Sequence, residues 1–457
     1  MKKARSVVAF LMAAAMLATT ACSQSGGDTS SQGSSAAGES SAASETSQSS
    51  GEKHDIVFWD MAWGGEDYVQ RVQQDLETMK GEIPDVGNIE YVSLTWDNFL
   101  QVHLTAINSG TAPDIFTAGF GTGEVFARMG AVHYLDKIDS NEELKARYDD
   151  ATWNARRQNG KMVQIPWMRG VTTLFYRTDM FEKVGYAESP KTWDEFMDAL
   201  RKVKAEYNID PLIFDLAGNQ SSHLILMSMI NNGVGVCKYD ANNNAVPAMS
   251  DPENKHMLQY LVDMYQEGLV PQSLSTYKRS DLAKVYLDGQ AAVFIGDLAL
   301  DVVGTDLEDK TGVLDVLTGP DTSDKRALTF YNGLGVFAQS ECPELCEDVI
   351  AYLITHSEQY FIEGMWEAWP ADEETTQKTV DQSSNGFYQK GVKNIPYCTP
   401  AIYPIEEVYP AWGVIDGEAL MGKVAQMALT GSSDNVDEIA TYADGLIQDA
   451  IDSQEEE

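Results

Sequence analysis

The chain reads DIVFWDMAWGGEDYVQRVQQDLETMK over residues 55–80. The first five residues form an apolar run with β-branched and aromatic side chains, which predicts a buried strand. Gly64 and Gly65 then mark a turn. Over 68–79, apolar side chains recur every three to four positions, as on one face of a helix. A strand followed at once by an amphipathic helix is the beginning of a βα unit.

The same alternation continues along the chain. The pattern predicts a strand at 89–94, a helix over 96–107 and a strand at 113–116. Further on it predicts a strand at 174–176, a helix over 193–204 and a strand at 291–296. Alternating strands and helices are typical of βαβ units with a parallel sheet, so the pattern predicts an α/β fold.

The N-terminal segment indicates export. Residues 1–21 combine basic residues, a short apolar core and small residues before Cys22, which predicts a signal peptide. The site LATTAC at 17–22 resembles a lipobox, in which the cysteine receives a diacylglycerol anchor. An ordinary secretory peptide with an incidental cysteine is the alternative. The Ser- and Gly-rich composition of 22–52 predicts a disordered linker behind the lipidated cysteine.

Composition narrows the classes of partner. The net charge of −38 repels nucleic acid and bare anionic membrane, so neither is expected to bind. The roughly four hundred residues after the linker exceed what one core usually supports, which predicts two domains. Cys342 and Cys346 have no Cys or His partners nearby at zinc-ligand spacing, so neither a metal nor another cofactor is expected.

Several segments, taken in order, resemble the sugar-type extracellular solute-binding proteins (family 1) of bacterial ABC importers. The resemblance covers most of 55–370. It is carried by FWD at 58–60, SGTAPDIF at 109–116, NGKMVQIPW at 159–167, LFYRTDMF at 174–181, PKTWDEF at 190–196 and GQAAV at 289–293.

This resemblance implies a two-lobed periplasmic-binding-protein-like clamp of type II, with a hinge and a ligand in the cleft. Each lobe is expected to be a mostly parallel sheet flanked by helices. The expected division is 55–168 plus 317–368 for lobe one, and 169–316 plus 369–457 for lobe two.

Candidate ligand contacts follow from the rule that open α/β sheets bind ligands at the carboxyl ends of their strands. Asp60 and Trp63 follow the first strand and offer a carboxylate for sugar hydroxyls and an indole for the apolar sugar face. Asp60 as a strand-end cap and Trp63 as a half-buried packing residue are the alternatives. Phe120, in the glycine-rich loop 117–123, offers a second stacking face.

Trp167 and Arg169 lie at the expected crossover between the lobes. A cleft arginine can pair bidentately with a carboxylated sugar, or it can bridge to one of the many acidic residues of this chain, and the bridge is favoured. Maltodextrin binders carry an acid near this position, so the arginine argues against that specificity.

In lobe two, Asn219 and Gln220 provide amide groups after a predicted strand. Many relatives show Gly-x-Trp after the later strand, where this chain has Gly296-Asp297, so Asp297 is expected to raise the polar share of the site. Trp369 belongs to a closing loop that resembles the family's and is expected to cover one side of the sugar.

The expected function is that of a substrate-binding lipoprotein of an ABC importer. It would capture a carbohydrate, an oligosaccharide in the first instance, and deliver it to a membrane permease without chemistry. The protein is expected to be a monomer anchored to the outer face of the cell membrane, and the long linker favours a Gram-positive surface. A lipid-anchored glycoside hydrolase is the alternative, because it would also use aromatic residues and paired acids.

Overall fold

Two large β-sheets, two small two-stranded sheets and the helices around them make up the described part of the fold. The computed structural model describes residues 53–95, 99–216 and 220–455. The predicted signal peptide, the predicted lipidation site Cys22 and the predicted linker lie outside these residues.

The strands, in chain order, are β1 His54–Met61, β2 Val86–Leu94, β3 Ile115–Ala118, β4 Val132–His133, β5 Arg157–Gln158, β6 Lys161–Met162, β7 Ile165–Val171, β8 Thr173–Arg177, β9 Leu212–Ile213, β10 Cys237–Tyr239, β11 Ala245–Pro247, β12 Val293–Gly296, β13 Thr311–Val313, β14 Ala327–Phe337, β15 Trp369–Pro370 and β16 Cys398–Pro400.

The α-helices are α1 Glu66–Met79, α2 Phe99–Ser109, α3 Thr122–Arg128, α4 Asp136–Asp139, α5 Glu142–Lys145, α6 Asp150–Trp153, α7 Thr178–Lys183, α8 Trp193–Tyr207, α9 Gln220–Asn231, α10 Pro252–Gln266, α11 Arg279–Leu287, α12 Pro343–His356, α13 Glu358–Ile362, α14 Glu373–Gln382, α15 Gly386–Gly391, α16 Trp412–Gly417, α17 Leu420–Leu429 and α18 Val436–Glu455. Four short 3-10 helices complete the set, at Leu274–Thr276, Leu300–Val302, Glu308–Lys310 and Val392–Tyr397.

Each lobe is built around one large sheet. In lobe one the strand order is β15-β7-β14-β3-β1-β2, with β16 and β4 also paired to β14. In lobe two the order is β13-β8-β12-β9. The two small sheets are β5-β6 and β10-β11. The α/β fold class and the two-lobed architecture are therefore confirmed.

The expectation of mostly parallel sheets is wrong in both lobes. Strand β14 runs antiparallel to β3, β4 and β7, and β8 runs antiparallel to β12 and β13. Parallel pairing joins β1 to β2 and β3, β14 to β16, and β12 to β9. The physical reason is that the chain leaves lobe one after β7 and returns as β14, which reverses its direction in the sheet.

The chain passes from lobe one to lobe two after β7, returns to lobe one before β14, and reaches lobe two again after β16. Thr172 alone separates β7 from β8, and residues 314–326 connect β13 to β14. Strands β15 and β16 pair within the lobe-one sheet, although both come from the segment 369–457 that was assigned to lobe two. Helices α17 and α18 pack on α9 and α10 of lobe two. The division of the remaining tail stays a prediction.

Local sequence patterns account for helices α1 and α8. Helix α1 buries the predicted apolar stripe, Tyr68, Val72, Leu76 and Met79. Helix α8 begins after Thr192, whose side chain accepts a hydrogen bond from the Glu195 amide, as helix N-caps do. Both helices are thus confirmed, with bounds that differ from the predicted ones by a few residues.

None of the helices within 53–95, 99–216 and 220–455 combines the length and the hydropathy of a membrane span.

Candidate functional site

A cavity of about 710 Å³ lies between the two lobes. Its walls come largely from loops at the carboxyl ends of β1, β3, β9 and β12, and from the middle of β7 and β14. Aromatic and charged side chains dominate this lining: Trp63, Phe99, Phe120, His223, Phe330, Asp215, Arg279, Asp297, Glu367 and Asp416.

Trp63 lines the cavity, and the buried Asp60 fixes its indole by a hydrogen bond. Its indole Nε1 donates to Asp60 Oδ1 at 2.9 Å and to Thr117 Oγ1 at 3.2 Å. Asp60 itself is 0% exposed and does not line the cavity. The expectation that Asp60 contacts a ligand is therefore corrected, because its side chain points into the lobe and fixes the indole.

Asp60 is also the centre of a buried hydrogen-bond network. Besides the indole, it accepts hydrogen bonds from the hydroxyls of Thr117 (2.6 Å), Tyr68 (2.5 Å) and Tyr91 (2.8 Å). Burial raises the pKa of this carboxyl, while the four donors oppose the shift. The network makes Trp63 a preorganised contact surface.

Phe120 also lines the cavity and is supported by a buried ion pair. The Arg156 guanidinium lies 5.3 Å from the Phe120 ring centroid. Its Nε and Nη2 donate to the two Glu124 carboxylate oxygens, each at 2.8 Å, and both side chains are 0% exposed. Arg156 also donates to the Tyr331 carbonyl and to Gln164 Oε1.

Strand β7 explains why Trp167 and Arg169 do not reach the cavity. Side chains alternate between the two faces of a strand, and here Met168 and Gly170 face the cavity. Trp167 instead packs edge-on against Trp366 at 4.8 Å and donates to Ser357 Oγ.

Arg169 is buried on the same far face of β7. It donates to Thr376 Oγ1 at 3.3 Å, and its strand partners are Tyr331 and Trp369. Among the described residues, Arg169 forms no ion pair with an acid. It also does not line the cavity, where it could pair with a sugar carboxylate. The contact roles expected of Trp167 and Arg169 are both corrected.

Trp369 is likewise part of the core. It is 2% exposed, packs edge-on against Tyr388 at 5.0 Å and does not line the cavity. Trp369 was expected to cover one side of the sugar, and this expectation is corrected. Strand β15 pairs with β7, which places Trp369 in the lobe-one sheet. Asn219 lies outside the described residues, and Gln220 is described only as the first residue of α9.

Charged groups from both lobes meet in the cavity. Asp297 follows β12 directly, and burial raises its pKa to about 6, opposed by the nearby Arg279. Arg279, in lobe two, forms an ion pair with Glu367 of lobe one. An added Cβ at Gly170 would lie 3.3 Å from Asp297 Oδ2, so the absence of a side chain there lets β7 approach this carboxylate.

Two further titratable residues were not among the sequence candidates. Burial raises the pKa of Asp416 to about 7. Burial, together with Arg279, lowers the pKa of His223 to about 4, and its ring stacks on Phe330 at 4.7 Å. The strand-end rule applied to β9 would have found Asp215 and the loop toward His223. No local sequence pattern indicates that Asp416 belongs to the site.

We expect Asp416 to make stability depend on pH. Its pKa is raised from 3.8 to about 7 in the folded protein, so the folded state binds more protons than the unfolded chain between these values. The contribution of Asp416 to stability is therefore full below pH 4 and is lost as pH rises toward 7. Asp416→Asn should remove this loss. The melting temperature of the variant minus that of wild type should therefore be larger at pH 8 than at pH 5.

Thermal melts of both proteins at the two pH values test this expectation. Asp434→Asn, at an exposed position, is the matched control. An equal difference from wild type at pH 5 and pH 8 would contradict the role of Asp416.

A second cluster lies outside the cavity. A carboxylate oxygen of Asp114 and the Sγ atoms of Cys342 and Cys346 lie within 4.8 Å of one another. Asp114 also accepts a hydrogen bond from the Val57 amide. All four described cysteines are free thiols. The expectation that the protein uses no metal stays a prediction.

The profile of the family described as bacterial extracellular solute-binding protein matches residues 67–360. The chain belongs to this family. As a solute-binding protein of this extracellular family, it is extracytoplasmic and is related to substrate-binding transport proteins rather than to enzymes.

Named relatives agree with this membership. A binding protein of Brucella abortus (strain 2308) is 25% identical over 230 residues, which are 50% of this chain and 54% of that protein. The diacetylchitobiose binding protein DasA of Streptomyces coelicolor is 23% identical over 167 residues, 36% of this chain and 38% of that protein. The solute-binding protein thus spans about half the length of the first of these curated relatives.

Solved structures share the fold. A sugar transporter protein from Arthrobacter chlorophenolicus A6 with bound laminaribiose has a TM-score of 0.74 and 23% identity, with 87% of this chain and 99% of that chain covered.

Proposed function

We propose that this solute-binding protein captures a carbohydrate, an oligosaccharide in the first instance, for an ABC importer. The observation that carries the proposal is the cavity of about 710 Å³ between the lobes, with Trp63 and Phe120 on one wall and Asp215 and Asp297 on the other. Pyranose rings pack their C–H faces on aromatic rings, and their hydroxyl groups donate to carboxylates. The relative named for diacetylchitobiose and the similar structure with bound laminaribiose support the same ligand class.

Capture needs no chemistry. A ligand can shift the balance between open and closed lobes only by binding the closed form more tightly. A sugar that touches Trp63 in lobe one and Asp297 in lobe two meets this condition. The closed form would then deliver the sugar to a membrane permease.

Calorimetric titration with neutral mono- and oligosaccharides tests the proposal. The exported chain carrying Cys22→Ala is used, so that detergent is not needed, and the mixture is analysed for product sugars. Saturable heat without products supports a transport receptor. Cleavage of a glycan would support the lipid-anchored glycoside hydrolase instead, and absence of heat with every sugar would contradict carbohydrate binding.

We further propose that the protein is a monomer held on the cell membrane by a lipid on Cys22. In the native host, Cys22→Ala should move the protein from the membrane fraction to the medium or the periplasm, because a lipid anchor supplies the attachment. Cell fractionation followed by immunoblotting measures this. Ser23→Ala, at the adjacent position, should stay in the membrane fraction, and retention of Cys22→Ala there would contradict the anchor.

A further inference from the structure

The charges in the cavity are unevenly distributed. Four carboxyl groups line it, from Asp215, Asp297, Glu367 and Asp416. Among the described residues of the lining, Arg279 is the one arginine or lysine, and its guanidinium is already paired with Glu367. Three acidic side chains in the cavity therefore lack a cationic partner of their own.

The other nearby cations do not correct this imbalance. Arg169 is buried on the far face of β7, and Arg156 is paired with Glu124 below Phe120. His223 is neutral near pH 7, because its pKa is lowered to about 4. The whole chain adds a net charge of −38, which repels anions at long range.

Two of the carboxyl groups lie at the same edge of the lobe-two sheet, where two parallel strands end. Strands β9 and β12 are parallel neighbours, with Ile213 opposite Phe294. Asp215 lies two residues after Ile213, and Asp297 lies three residues after Phe294, directly after the end of β12. Asp215 is only 8% exposed, and its Oδ1 has no hydrogen-bond partner within the described part of the chain. A buried acceptor of this kind requires a donor when ligand replaces water.

These observations restrict the chemistry of the ligand. A carboxylated or sulfated sugar would place an anion beside unpaired carboxylates, which is unfavourable at low local dielectric. A neutral hydroxyl supplies one donor and no charge. An ammonium group supplies three donors and a positive charge, and charge-assisted hydrogen bonds are about twice as strong as neutral ones.

We propose, resting on the carbohydrate-binding function above, that the cleft selects a sugar with a protonated amine, received by Asp215 and Asp297, and rejects acidic sugars. The lobe-one aromatic residues, Trp63 and Phe120, would then contact the sugar ring. Asp416 lines the same cavity, but burial raises its pKa to about 7, so the proposal does not depend on its charge.

The test uses sugars that differ at one group. Glucosamine and its β-1,4-linked disaccharide carry amines, N,N′-diacetylchitobiose carries neutral amides, cellobiose carries hydroxyls, and glucuronic acid carries a carboxylate. Each is titrated calorimetrically at pH 6.5 into wild type, Asp215→Asn, Asp297→Asn and the exposed control Asp434→Asn.

The amine sugars should bind wild type and Asp434→Asn at least about tenfold more tightly than their neutral counterparts, and glucuronic acid should not bind. Asp215→Asn and Asp297→Asn should each reduce the ratio of amine-sugar to neutral-sugar affinity to threefold or less, whereas Asp434→Asn should leave this ratio unchanged. In 0.5 M salt the advantage should shrink, as expected for a charge effect.

A neutral or acidic sugar that binds wild type as tightly as its amine counterpart would overturn this inference and leave carbohydrate binding intact. An amine advantage that survives both substitutions would overturn the assignment of these two carboxylates. Absence of heat with every sugar would count against the proposed function itself.

Discussion

Arg156→Ala is expected to lower the free energy of unfolding by about 3–5 kcal/mol, because it leaves Glu124 as an unpaired buried carboxylate. Both side chains are 0% exposed, and the pair is bidentate at 2.8 Å. The change also removes the donors to the Tyr331 carbonyl and to Gln164. Urea denaturation, followed by tryptophan fluorescence, measures the loss.

The adjacent arginine provides the matched control. Arg157 pairs with Asp139 at 2.5 Å, but both side chains are partly exposed, at 14% and 31%. Arg157→Ala should therefore cost only about 0–1 kcal/mol, as exposed ion pairs do. Equal losses for the two variants would show that the Arg156 pair is not the stabilising element inferred here. A double change of Glu124 and Arg156 to apolar residues of similar size should cost less than Arg156→Ala alone.

Trp63→Ala is expected to weaken sugar binding by about 1–3 kcal/mol, which is about 5- to 150-fold in Kd. The indole lies on the cavity wall and is fixed by Asp60 and Thr117, so the binding surface is preorganised. Calorimetry with the best-binding sugar from the titrations above measures the loss.

Trp59→Ala serves as the control for this substitution. Trp59 lies in the same strand, β1, is also half-buried and contacts His103 rather than the cavity. Its loss should lower stability and leave the affinity of the folded protein unchanged. Wild-type affinity in Trp63→Ala would remove this residue from the proposed site.

Sequence periodicity was sufficient for the individual elements. The buried run at β1 and the apolar stripe of α1 are local patterns, and both are present. The direction of the strands was not predictable in the same way. The partners of β14 lie far away in the sequence, so antiparallel pairing with β3 and β7 depends on where the chain returns from the other lobe.

The residues of the candidate site were likewise only partly predictable from local sequence. Trp63, Phe120 and Asp297 line the cavity and were found from their positions after strands. Trp167 and Arg169 belong to the right strand but to its other face, and a shift of one residue reverses the face of every side chain.

Arg279 and Asp416 were missed for a different reason. They lie at the first turn of α11 and near the end of α16, far along the chain from the strands whose ends form the cavity. Only the tertiary arrangement brings these two side chains to the same cavity, so no local pattern could have indicated them.

The alternation along β7 has a consequence for how this receptor could change its ligand during evolution. Positions 168 and 170 face the sugar-sized cavity, whereas 167 and 169 hold the lobe-one core. Met168 lines the cavity but is 1% exposed and belongs to the lobe-one core, so a substitution there would affect selectivity and folding together. At Gly170 any side chain would meet Asp297 of the opposite lobe, so this position limits how closely the two lobes can approach. The same strand therefore both packs the core of lobe one and shapes the cavity, so a change of ligand at these positions would also change the packing of the core.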